Sequence, residues 1–173
     1  MSEKLHLLVN QGADLLSLNN PEEAERCFAQ VLEIDPAHLL ALFNSAIALS
    51  RMDKFKPAEE RLIRFLELRS DDPEAWNQLG YIRFQSGNSG EAAKAYARAE
   101  ELNPKDATIQ NNIGALNFVQ GRYEKALTCF EKALGIDKNH RDALFNIADT
   151  CEVLGRLQEA QAYRRRLNEL KTI

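Results

Sequence analysis

Three residue types in this sequence could carry chemistry, and their spacing decides whether they do. The cysteines are Cys27, Cys129 and Cys151. They are odd in number and form no CxxC pair, so they suit free thiols in a reducing compartment better than a disulfide framework or a zinc site. The histidines, His6, His38 and His140, are too dispersed for a ligand set. A nucleophilic thiol would need a basic neighbour to lower its pKa, and none is apparent in the sequence. Paired carboxylates such as Glu22–Glu23, Glu59–Glu60 and Glu100–Glu101 lie within helical patterns, where a solvated face accounts for them. There is no GxxxxGK[ST] phosphate loop, GxSxG elbow or HExxH pair. The expectation is a non-catalytic protein that needs no metal and no cofactor.

Charge and hydropathy exclude further classes. Twenty-two Lys plus Arg against 26 Asp plus Glu leave a net charge of −4, the wrong sign for gathering phosphates, so nucleic acid is not the expected partner. The Arg164–Arg165–Arg166 run is short and lacks interleaved aromatics, which argues against a nucleic-acid or lipid patch. Apolar stretches such as Leu39 to Phe43 fall far short of the roughly 18 residues of a membrane span, and the N-terminus lacks a signal-peptide design. A soluble, cytoplasmic protein with no membrane insertion is expected.

The elements that position these residues come from an internal repeat. Rows of 34 residues starting at Leu5 stack without insertion as residues 5–38, 39–72, 73–106, 107–140 and 141–173. The twentieth column is Ala24, Ala58, Ala92, Ala126 and Ala160; the eighth is Gly12, Ala46, Gly80, Gly114 and Ala148; the thirtieth is Ile34, Leu68, Leu102, Ile136 and Leu170. Small residues at fixed places let two helices approach closely, and larger apolar columns fill the contact. Row three shows the punctuation of a helical hairpin. Asp72 and Pro73 open its first helix, Gly87 stops it, Asn88 with Glu91 opens the second, and Asn103–Pro104 end it. One hairpin cannot bury its own apolar face, so neighbours must stack. His38 and His140 stand just ahead of first helices, as caps or loop residues.

The rows resemble the tetratricopeptide repeat (TPR) family. Row three carries Trp76, Leu79, Gly80, Gly87, Ala92, Tyr96, Ala99 and Pro104, close to the pattern W-x2-L-G, G, A-x3-F/Y, A, P. Row four keeps Ile113, Gly114, Gly121, Tyr123, Ala126, Phe130 and Ala133, with Gln110 in the tryptophan position; row two departs most, through Leu62, Phe65 and Ser70. The resemblance spans nearly the whole chain. It implies an all-α fold, a single TPR α-solenoid over 1–173, a right-handed superhelix of antiparallel helix pairs with first helices on its concave side. Row five has Arg164 where rows one, three and four have Phe28, Tyr96 and Phe130, and its second helix is expected to cap the stack.

In such a fold, function is expected on the first-helix face. At about 100° per residue, columns two, five, nine and twelve form one stripe. It holds Leu40, Phe43, Ile47, Tyr81, Phe84, Phe118 and Phe145, more apolar surface than a solvated groove requires. The alternative is that columns five and twelve are partly buried by adjacent helices. Column six is Asn10, Asn44, Gln78, Asn112 and Asn146, with Asn77 and Asn111 one position before. Carboxamides can both donate to and accept from a peptide backbone. This series is similar to the asparagine ladder in the repeat domains of O-linked N-acetylglucosamine transferases, although a shared structural role would also explain it. The family's two-carboxylate clamp for acidic chaperone tails needs Lys and Asn in columns five and nine and Lys in column two. Here those columns offer pairs such as Phe43 with Ile47 and Asn77 with Tyr81, and Glu74, Thr108 and Asp142, so an acidic-tail partner of that type is not expected. The expected ligand is a protein or peptide with apolar side chains, bound as by a scaffold or adaptor. A chaperone-like holder of secretion substrates, a self-associating scaffold and a regulatory subunit of a separate enzyme are the alternatives.

Overall fold

The computed structural model describes residues 2–170. Among them, ten α-helices follow one another as antiparallel pairs: α1 (Ser2–Ser17), α2 (Pro21–Ile34), α3 (Leu39–Arg51), α4 (Phe55–Leu68), α5 (Pro73–Gln85), α6 (Ser89–Leu102), α7 (Ala107–Val119), α8 (Tyr123–Ile136), α9 (Arg141–Val153) and α10 (Leu157–Glu169). The last three residues of repeat five lie outside the described residues. The packing divides between Ala95 and Tyr96, inside α6, into two compact units. In the first, α1 packs on α2, α2 on α3, α3 on α4 and α4 on α5, and first helix α1 also touches first helix α3. In the second, α7–α8, α8–α9 and α9–α10 repeat the scheme, with α7 touching α9.

The punctuation follows the repeat. Each of α3, α5, α7 and α9 opens on the thirty-fourth column, where His38, Asp72, Asp106 and His140 accept from backbone N–H groups of the first turn. The imidazoles do this through Nδ1, at 3.3 Å to Ala41 N and 3.2 Å to Ala143 N, so these two histidines are caps. The second helices are capped less evenly. Asn20 and Asn88 accept from Glu23 N and Glu91 N, whereas Lys54, Arg122 and Arg156 supply no side-chain cap. A cation there opposes the macrodipole, and Arg156 is drawn off by a bidentate pair with Glu159, both bonds 2.8 Å long.

The turn between the helices of each pair requires a left-handed residue in column fifteen. Gly87, Gly121 and Gly155 supply it with φ of 83°, 71° and 74°, and Asn19 and Asp53 adopt φ of 56° in the same place. Only glycine takes this conformation without a Cβ penalty, while Asn and Asp tolerate it better than other residues.

The core is set by columns eight, twenty and twenty-four. The column-twenty alanines Ala24, Ala58, Ala92, Ala126 and Ala160 are all buried. A methyl group added at Gly12 would sit 2.6 Å from the Phe28 ring, and one at Gly114 would collide with Phe130 in the same way. Repeat two carries Ala46 with Leu62, both buried: a methyl on the first helix goes with a smaller side chain on the second. Column thirty behaves differently. Ile34, Leu68 and Ile136 remain more than two-fifths exposed, because they stand in the last turn of their helices, where the next element no longer covers them. In the tryptophan column, Trp76 is half-buried with Nε1 donating to Ser70 O at 2.9 Å. Gln110 replaces this ring with a buried amide that donates to Glu100 Oε1 at 2.8 Å and leaves its own Oε1 unpartnered.

Two stability measurements follow. Gly114→Ala should lose about 1–2 kcal/mol of stability to overpacking, despite the roughly 1 kcal/mol that alanine gains over glycine in a helix. Combined with Phe130→Leu it should cost less than the two single changes together, with a coupling of at least about 0.5 kcal/mol; strict additivity in denaturant melts would contradict the ring-on-glycine contact. Asp53→Gly should raise stability by about 0.5–1 kcal/mol by relieving the left-handed Cβ, and a drop in melting temperature would contradict that.

Candidate functional site

The first-helix face of the first unit holds most of the stripe. Leu40 of α3 is 60% exposed and Tyr81 of α5 is 37% exposed. Phe43 and Ile47 are half-buried against the core, and the Phe43 ring lies 5.6 Å from that of Phe65 on α4. Phe84 is half-buried and Asn10 is exposed. The side chains of Asn44 and Gln78 are half-buried, and neither bonds to a described residue. Between α3 and α5 lies an open pocket of about 320 Å³, lined by Ile47, Ser50, Arg51, Gln78 and Tyr81. This pocket brings three of the expected contact residues, Ile47, Gln78 and Tyr81, together and adds Ser50 and Arg51. Arg51 was legible as a stripe member: eleven residues past Leu40 on the same helix, it falls about 20° from it around the axis. Charge, rather than phase, sets it apart from the apolar residues around it.

In the second unit the amides are engaged differently. Asn111 is only 6% exposed, and its Oδ1 accepts from Asn146 Nδ2 at 2.9 Å, joining α7 to α9. Asn111 Oδ1 is thereby engaged in helix pairing. The reason is geometric: column five of α7 faces column six of α9, so the two amides satisfy each other. Asn77, in the same column of the first unit, is 9% exposed and also has a partner, as does the half-buried Asn112. Phe118 packs edge-on against Tyr123 at 5.3 Å, so column twelve is partly consumed by its own hairpin. Phe145 stays 47% exposed.

The reactive groups lead elsewhere. Burial pushes the thiols of Cys27, Cys129 and Cys151 above the ordinary cysteine range, the opposite of what a nucleophile needs. No cluster of three His, Cys, Asp or Glu side chains among the described residues could hold a metal ion, and no described helix is long and apolar enough to cross a membrane. Arg164 is tied by Nε to Glu152 and by NH2 to Asp149 at 2.8 and 2.9 Å, while Arg166 reaches Lys138 O. Arg165 Nε donates to Gln161 O at 3.4 Å, so all three arginines in the run are held in local contacts.

Comparison with known proteins decides the family. The tetratricopeptide repeat family matches residues 6–38, 43–107, 78–140 and 117–170. The chain belongs to this family. A peroxisomal targeting signal receptor of Kluyveromyces lactis is 25% identical over 115 residues, 64% of this chain and 20% of the receptor. The crystal structure of the MamA protein is 25% identical, with a TM-score of 0.76 over 98% of this chain and 92% of that one. A thermophilic TPR protein of Thermus thermophilus has a TM-score of 0.85 at 20% identity over 95% and 90% of the two chains. The chain spans only 13–25% of the length of the curated relatives it matches. TPR domains are in general protein-interaction modules.

One half-buried acid shapes the first unit's response to pH. Glu25 of α2 places its Oε2 out of solvent, as Ser45 of α3 does its hydroxyl. Neither atom reaches a partner at hydrogen-bonding geometry. Burial raises the Glu25 carboxyl above the ordinary carboxylate range, although the nearby Ser45 hydroxyl and the charges of Arg61 and Lys54 oppose the rise. The folded state therefore holds this proton more tightly than the unfolded chain, so the contribution is favourable in acid and is lost as pH rises through the folded value. Glu25→Gln should gain stability relative to the parent as pH is raised from about 4 to 7; a pH-independent difference in melting temperature would contradict this reading.

Proposed function

We propose that this TPR protein is a non-catalytic interaction module that holds an extended or short helical peptide segment of a partner protein on its first-helix face. The observation that carries this reading is the first unit's surface. There Leu40 and Tyr81 are exposed, Tyr81 lines an open pocket, and the Asn44 and Gln78 amides make no bond within the described residues. Apolar anchors supply contact area, and amides that can both donate and accept fit a peptide backbone without reading its side chains. Phe43, Ile47 and Phe84 form the half-buried floor of the same stripe. Phe145 offers an exposed aromatic on the second unit's first-helix face. The presence of a targeting-signal receptor among the relatives favours a ligand of the same general kind, a segment of another protein.

The test is site-specific crosslinking of the partner recovered from the source cell. A photoreactive phenylalanine at position 81 should capture it, and the same group at Ile63, exposed on second helix α4, should not. Tyr81→Ala should weaken binding by about 2 kcal/mol and Asn44→Ala by about 1 kcal/mol, with helical content and melting temperature retained. Capture at Ile63 with unchanged affinity of Tyr81→Ala would place the ligand on the other face.

A further inference from the structure

The pocket between α3 and α5 has a chemistry that the apolar stripe does not explain. One lining residue is the apolar Ile47, and the other four, Ser50, Arg51, Gln78 and Tyr81, are all hydrogen-bond donors. No carboxylate lines it. Ser50 is 7% exposed, yet its hydroxyl bonds to no described residue, and the same holds for the Gln78 amide and the Tyr81 hydroxyl. Arg51 forms no ion pair with a described residue. Its NH1 donates to Leu16 O at 2.7 Å, a carbonyl in the last turn of α1 that also accepts from Asn19 N at 3.1 Å. That bond uses one of five guanidinium N–H groups and holds the side chain in place, leaving four donors.

A purely structural role for Arg51 accounts for the bond to Leu16 but not for three further donors without partners around the same cavity. Donors that converge on a pocket with one fixed cation and no anion match a planar group of two negatively charged oxygens. We infer that this pocket is a carboxylate subsite, taking one Asp or Glu side chain of the bound peptide, with Arg51 as its anion-binding group and Ser50, Gln78 and Tyr81 as supporting donors. It rests on the peptide-binding reading above and sharpens it: the ligand carries an acidic residue next to the apolar residue that covers Tyr81. The subsite differs from the two-carboxylate clamp that the sequence lacks, since it offers a single cation near the end of α3.

The experiment is a peptide array. N-acetylated, C-amidated nonapeptides with an apolar pair held constant and one neighbouring position varied through Glu, Asp, Gln, Ala, Lys and phosphoserine are probed with the full chain. Peptides with Glu or Asp should bind at least tenfold more tightly than those with Gln or Ala. Arg51→Gln should erase that preference while leaving the weaker apolar binding, and Gln78→Leu, which does not touch α1, should reduce it by severalfold. Binding without acid preference, or an acid preference that survives in a folded Arg51→Gln protein, overturns the carboxylate subsite and leaves the peptide-binding reading standing. Stronger binding of phosphoserine than of Glu overturns the assignment to a carboxylate. Absence of binding by any peptide overturns both.

Discussion

A phenylalanine ring pressed against glycine backbone sets the distance between the two helices of a hairpin, and the rest of each unit is built outward from that distance. Gly12 against Phe28 and Gly114 against Phe130 leave no space for a methyl group, so the first helix sits where a ring's thickness allows. Repeat two, with Ala46 and Leu62, meets the same constraint with the bulk moved to the other helix. Once the pair is spaced, column-twenty alanines such as Ala24 and Ala126 close the remaining contact, and the next first helix packs on the second helix of the pair. Because interiors are close-packed, this spacing is not adjustable side chain by side chain.

The spacing also decides what the first-helix face can offer. Side chains that look alike on a helical projection part company when the neighbouring first helix is in place. Asn111 is taken up by Asn146, Phe118 turns onto Tyr123, and Phe43 leans on Phe65. Leu40, Asn44, Gln78 and Tyr81 escape these internal contacts. Arg51 is held between the two fates, with one N–H committed to the end of α1 while the residue also lines the pocket. Buried amide pairs such as Asn111–Asn146 must be satisfied to be tolerated, which is why a polar ladder is compatible with a tightly packed face.

Helix number, phase, caps and the small-residue columns were legible in the amino-acid sequence alone, because each depends on local backbone chemistry or on a period that any 34-residue alignment displays. Asp72 and Asn88 announce helix starts by their side-chain oxygens, and Gly87 announces a left-handed turn by its missing Cβ. Asn19 and Asp53 in the same column are less obvious, since they adopt that turn against a steric cost that only the repeat context imposes. What tertiary structure alone decided was which of several equivalent polar and apolar side chains remain open. That depends on the register between neighbouring first helices, which brings column five of α7 opposite column six of α9. It also depends on the way α3 and α5 leave a gap where Ser50, Arg51, Gln78 and Tyr81 meet. A helical period places a residue on a face, but the distance to the next helix determines whether that face meets a neighbour, a ligand or water.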